Sequence, residues 1–178
     1  MKVLIAGPYN SGGSRLLECI RMVCKLCAMP ITYGSYVKFN TKKANEFEGM
    51  YIIKCNELHE MYFNAHFFDY VFVPCRDVRY YCPSDTEAIQ NIALFRSWKT
   101  QATKIVRYED FNVQQLVAVF LVMNMRLQKE VVEYMDRFVQ TRYTNKNTKV
   151  VLHTENNEAI RSFLCENNYT YVTPIRSL

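Results

Sequence analysis

The opening of the chain limits its fold more than any other stretch. Lys2-Val3-Leu4-Ile5-Ala6 is an apolar run with the length of a buried strand, residues 7–14 (GPYNSGGS) form a turn-rich tract, and Arg15 begins a stretch with helical spacing. A strand that feeds a Gly/Ser-rich turn into a helix N-terminus aims several free backbone N–H groups, and the positive end of the helix dipole, at one point where an anion is held. The nucleotide-binding form of this layout, G-x-x-x-x-G-K-[ST], carries a Lys before the last hydroxyl. Gly7, Gly12 and Ser14 are in register with that pattern, and Gly13 stands where the Lys would be. The layout is therefore that of a phosphate loop without its usual cation.

After the loop, Leu16, Ile20, Val23, Cys24 and Cys27 recur at helical spacing, so residues 15–28 are predicted as an amphipathic helix that Pro30 ends. Strands are predicted at 31–39, 50–55, 69–74, 104–108, 149–153 and 169–174, and helices at 57–66, 86–101 and 156–167. Residues 40–49 read as an exposed loop. Residues 112–142 contain neither Gly nor Pro and read as one long helix or two broken by an unmarked turn. Near-continuous apolar strands suit a parallel sheet covered on both faces. The alternation of β and α elements predicts an α/β fold with a doubly wound, mainly parallel sheet flanked by helices, P-loop-like in its opening. In such sheets ligands sit beyond the carboxyl ends of the strands, where residues 7–14, Asn56, Arg76 and Glu109 fall. With 178 residues and about half of them apolar, one domain over 1–178 is expected.

A balance of 22 basic against 17 acidic residues favours anionic partners in general. The basic residues are scattered, with Lys42-Lys43 the one small cluster, so nucleic acid is not an expected partner. Seven cysteines at irregular spacings, including the Cys24-x-x-Cys27 pair inside a helix, are expected to be core thiols in a reducing setting; no zinc spacing is present and no metal is expected. No apolar run approaches the roughly 20 residues of a membrane span, and the opening residues lack the features of a signal peptide. A cytoplasmic location without a membrane partner is the expectation; the oligomeric state is left open.

The most specific segment follows the strand at 69–74: Arg76-Asp77-Val78-Arg79-Tyr80-Tyr81-Cys82-Pro83-Ser84. A guanidinium offers a bidentate fork to a phosphate, and a hydroxyl caps a further oxygen. A second segment is Val106-Arg107-Tyr108-Glu109-Asp110-Phe111, a third is Pro8-Tyr9-Asn10-Ser11-Gly12-Gly13-Ser14-Arg15, and a fourth is Ile52-Ile53-Lys54-Cys55-Asn56. In this order they resemble, over residues 3 to about 125, the sulfotransferases that use 3′-phosphoadenosine 5′-phosphosulfate. The segments are similar to that family's R-D-x-R-x-x-x-x-S, R-Y-E-D-L, P-K-S-G-T-T-W and V-K-T-H elements. The resemblance implies that Ser11, Gly12, Gly13 and Ser14 hold the 5′-phosphosulfate of the donor, with Asn10 and Arg15 beside them in the donor site and Arg15 stacking or pairing with phosphate, that Arg76 and Ser84 hold its 3′-phosphate, and that Tyr108 contacts adenine. It also implies that Glu109 and Asp110 fix the local backbone. Asp110 reads as well as an N-cap for the helix that follows.

The departures from that pattern shape the expected chemistry. Sulfuryl transfer needs a cation near the leaving oxygen and a base for the acceptor hydroxyl. Asn10 stands in place of the family's loop Lys, Asn56 in place of its His, and Arg15 in place of an aromatic residue, and the late G-x-x-G-x-x-K segment is missing from 149–178. Lys54 or Arg15 is then the expected source of charge, with His59 or Glu57 as base. Three functions follow as expectations. They are a sulfotransferase acting on a small hydroxyl acceptor, a sulfotransferase-fold protein that binds the adenine nucleotide without turnover, and a P-loop nucleotide kinase using ATP and magnesium. Aromatic residues at 62–70 and Tyr80-Tyr81 either line an acceptor pocket or belong to the core. Arg76, Asp77 and Arg79 read alternatively as an ion-pair knot.

Overall fold

The computed structural model of the protein describes residues 1–36, 39–57, 64–143 and 157–169. Five parallel strands form its centre: β1 (Lys2–Ala6), β2 (Ile31–Ser35), β3 (Met50–Cys55), β4 (Tyr70–Cys75) and β5 (Lys104–Arg107), in the spatial order β2-β3-β1-β4-β5. The helices are α1 (Gly13–Leu26), α2 (Thr41–Glu46), α3 (Asp85–Lys99), α4 (Val113–Val122), α5 (Lys129–Tyr143) and α6 (Glu158–Glu166). Single 3-10 turns occupy Ala65–Phe67 and Val78–Tyr80.

The strands are apolar throughout because both sheet faces are covered. Alternate residues of β1 divide between two cores. Leu4 and Ala6 join Ile53, Val71 and Val73 with Phe95 and Trp98 of α3 and Phe163 of α6. Val3 and Ile5 join Ile52 and Phe72 with Ile20 and Val23 of α1, Phe120 of α4 and Met135 of α5. The fold is thus the doubly wound, parallel α/β arrangement that the sequence predicts.

The direction of strand addition reverses beside β1: β2 and β3 lie to one side of it, β4 and β5 to the other. A reversal of this kind leaves a crevice at the carboxyl ends of the two strands that flank it. Pro74 widens it. The β1–β4 pairing runs from Val3↔Tyr70 to Ile5↔Phe72, whereas β4–β5 pairing continues to Cys75↔Arg107. Pro74, with no N–H to give, falls where β4 has already parted from β1.

Several local expectations are corrected. The expected loop at 40–49 contains α2, because Asn40 caps it by accepting the Lys43 amide at 3.0 Å and Ala44 is buried under it. Of the two readings of 112–142 the two-helix one holds, the helices being separated where Asn124 adopts a left-handed φ of 57°. Asn tolerates that conformation, so neither Gly nor Pro was needed to break the helix. Asp110 does not cap α4: Asn112 does, accepting the Gln115 amide at 3.0 Å, while Asp110 pairs with Arg107 at 3.0 Å. The expected helix at 57–66 falls partly on residues outside the described set, and Ala65–Phe67 is a 3-10 turn. The strand expected at 149–153 lies outside the described residues, as does all but Tyr169 of the one expected at 169–174. Tyr169 itself is not in a strand. Among the described residues no helix is long and apolar enough to cross a membrane.

Candidate functional site

The tract after β1 folds back on itself before α1 begins. Ser11 is 2% exposed and its Oγ donates to the Pro8 carbonyl at 2.7 Å, while Asn10 takes a left-handed φ of 60°. Gly12 occupies the N-cap position of α1 at φ 110°, and no side chain caps the helix. The first-turn N–H groups of an α-helix have no intrahelical acceptor, so this end presents donors and positive dipole to the crevice. Gly12 is required by space as well as by φ. A Cβ there would lie 2.6 Å from Tyr108 Cδ2.

A cation reaches the loop from the neighbouring strand. Lys54, on β3, donates from Nζ to Ser14 Oγ at 2.7 Å. Its stem crosses Gly13 closely enough that a Cβ at Gly13 would sit 3.4 Å from Lys54 Cε. The absence of a side chain at the position where a loop Lys is usual therefore leaves room for a Lys arriving from β3. Partial burial lowers the Lys54 pKa from its ordinary 10.5, because desolvation penalises the ammonium.

The other candidate cation, Arg15, packs on aromatic rings at the same end of α1. Arg15 donates from Nη2 to the Phe111 carbonyl at 3.3 Å and lies over the rings of Tyr108 and Phe111 at 4.9 and 4.8 Å. Arg76, just beyond β4, donates from Nη1 to the Asn10 carbonyl at 3.1 Å and lies over Tyr108 at 4.4 Å. Tyr108, just beyond β5, thus holds two guanidinium groups and rests on Gly12. The carboxyl ends of β1, β3, β4 and β5 converge through these five residues: Gly12, Ser14, Lys54, Arg76 and Tyr108. Cation–π contact and hydrogen bonding hold both arginines beside the N-terminus of α1, on whose Ser14 the Lys54 ammonium also rests.

Ser84 lies farther along and caps α3, its Oγ accepting the Glu87 amide at 3.2 Å. That hydroxyl retains a proton to donate. Asp85 and Glu87 put negative charge in the first turn of α3, where it complements the positive end of the helix dipole. The ion-pair knot is real for Arg79 and Asp77: Arg79 Nη2 meets Asp77 Oδ2 at 2.6 Å, Nε reaches Oδ1 at 3.0 Å, and Asp77 is buried. The Asp77 amide donates to Glu109 Oε1 at 2.9 Å. This bond ties the chain after β4 to the chain after β5.

Of the two candidate bases, Glu57 accepts from Tyr9 and Tyr36, each hydroxyl 3.3 Å from one of its oxygens, beside the loop. His59 lies outside the described residues. Among the described residues no group of three or more His, Cys, Asp or Glu side chains is placed to hold a metal ion. No described cysteine forms a disulfide; five are the buried core thiols expected, while Cys27, one residue past the end of α1, and Cys165 are exposed, against that expectation.

Tyr169 is a site-linked residue that sequence reasoning passes over. Its hydroxyl donates to Glu109 Oε2 at 3.0 Å across a separation of 60 residues, for which no local motif exists. Comparison of the chain with known protein families and with curated proteins finds no match.

Proposed function

We propose that the protein binds 3′-phosphoadenosine 5′-phosphosulfate across the β1/β4 crevice and transfers its sulfuryl group to a small hydroxyl acceptor. The observation that carries this reading is the bond from Arg76 Nη1 to the Asn10 carbonyl, which sets the 3′-phosphate candidate against the phosphate loop. One ligand with two anionic groups then spans the loop and the Arg76 segment, with its adenine against Tyr108.

In the transfer, the acceptor oxygen bonds to sulfur as the bond from sulfur to the 5′-phosphate oxygen breaks. The electron pair leaves with adenosine 3′,5′-bisphosphate. Lys54, held at Ser14, offsets the charge that develops on the departing oxygen, the role a loop Lys would otherwise fill. The acceptor proton passes to Glu57 or His59.

A second reading is nucleotide binding without turnover. It is favoured by Asn10 in the loop and by Glu57, whose two oxygens are both occupied by phenols. Titration with adenosine 3′,5′-bisphosphate in the absence of magnesium, beside ATP with magnesium, tests the pocket without knowledge of the acceptor. Binding of the bisphosphate, weakened about tenfold or more by Arg76→Ala, is the expected outcome. Magnesium-dependent binding of ATP alone indicates a kinase and overturns the proposal. Sulfate transfer from labelled donor to a hydroxyl acceptor, lost in Arg76→Ala, separates the enzyme from the binding protein.

A further inference from the structure

We infer that Tyr169, beyond the end of α6, is a positioning residue for the Arg76 segment and acts on it through Glu109; the inference rests on the donor-binding reading above. Glu109 holds the amide of Asp77, the residue that follows Arg76, at 2.9 Å through Oε1. Its other oxygen accepts the Tyr169 hydroxyl at 3.0 Å. Glu109 is exposed at the surface while Asp77 is 1% exposed. A carboxylate at the surface is drawn towards water, and a second protein donor counters that pull by fixing its plane.

Tyr169 is well placed to be that donor. It is 8% exposed, its ring lies 6.1 Å from that of Phe163, and the Arg107 guanidinium sits 4.6 Å above it. Its amide donates to the Leu164 carbonyl at 2.8 Å, which anchors it to the last turn of α6. Burial, with Cys75 and Glu109 beside it, pushes the phenol pKa up, so it keeps its proton at any ordinary pH. Three separate parts of the chain therefore meet at one carboxylate: the ends of β4 and β5, and the end of α6. Removal of the hydroxyl frees Glu109 to turn to solvent, releases the Asp77 amide, and loosens the backbone that aims Arg76 at Asn10.

Tyr169→Phe tests this, because it keeps the ring and its packing and removes one oxygen. Amide exchange is followed by NMR, and adenosine 3′,5′-bisphosphate and adenosine 5′-monophosphate are titrated. The expected result is faster exchange at Asp77 with α3 and α6 unchanged. Affinity for the bisphosphate falls about three- to tenfold, the size of one ordinary hydrogen bond, while affinity for the monophosphate, which lacks the 3′-phosphate, is retained. Unchanged exchange at Asp77, or equal losses for the two nucleotides, overturns the inference. If the wild-type chain binds neither nucleotide, the donor reading fails and the exchange at Asp77 decides the role of Tyr169 by itself. Glu109→Ala breaks both links and gives the same selective loss should Tyr169→Phe not fold.

Discussion

Lys54 shows how a single side chain moves between roles when its surroundings are known. From the sequence it is one of two basic residues that could compensate for a loop without Lys; in the structure its ammonium is on Ser14, while Arg15 is turned onto Tyr108 and Phe111. Its lowered pKa gives a pH signature. An anion in the loop favours the protonated amine, so binding is at full strength below the pKa of Lys54 in the free protein and weakens as pH rises through it, in the alkaline range beneath 10.5. Bisphosphate titrations across that range, with Lys54→Met as the comparison, are expected to show this decline in the wild type and a flat, weaker profile in the variant. Arg76 was legible from its neighbours, because the R-D-x-R-x-x-x-x-S spacing singles it out. Its hydrogen bond to a backbone carbonyl of the loop was not, since backbone acceptors leave no mark in a residue pattern.

At the scale of elements, the glycine-rich turn between β1 and α1 was the most legible part of the chain and the caps the least. Gly12 explains the first: its left-handed φ and the Tyr108 ring 2.6 Å from any Cβ leave glycine as the residue that fits. Gly12→Ala is expected to lower stability by about 1–3 kcal/mol through backbone strain, with a further loss as Tyr108 is displaced. Thermal unfolding measures the first effect and bisphosphate affinity the second. The helix α2 shows the opposite case. Six residues of Thr-Lys-Lys-Ala-Asn-Glu have no apolar stripe to announce a helix, and Asn40 with buried Ala44 decides the matter locally. Likewise Asp110 and Asn112 are both good cap residues, and which of them caps α4 follows from the pairing of Asp110 with Arg107.

For the whole molecule, the sheet divides the interior into two cores, each with a buried thiol that responds to alkali. Cys24 lies in the core under α1 and Cys75 in the core under α3, and burial pushes both pKa values up to about 11 from 9.0. Their folded pKa values exceed their unfolded ones, so the folded chain holds more protons between the two. Stability is therefore complete below about pH 9 and is expected to fall as pH rises towards 11. Denaturant unfolding at a series of pH values checks this, and Cys24→Ala with Cys75→Ala is expected to flatten the slope. An unchanged slope in the double variant would assign the alkaline loss to other groups.

The five central strands, the helix after the loop and the α/β fold class were legible in the sequence alone, because continuous apolar strands, helical spacing and a Gly-rich turn are each local consequences of chain geometry; α2 and the turn at Ala65–Phe67 were not. The position of the loop at a strand's carboxyl end follows from the legible elements. Tertiary structure decided everything that depends on one segment meeting another: the reversal of strand order at β1, the arrival of Lys54 at Ser14, the placement of Arg76 against Asn10, and the meeting of Tyr169 with Glu109. These contacts join residues separated by tens of positions, and their energies depend on distance in space, which periodicity along the chain does not encode.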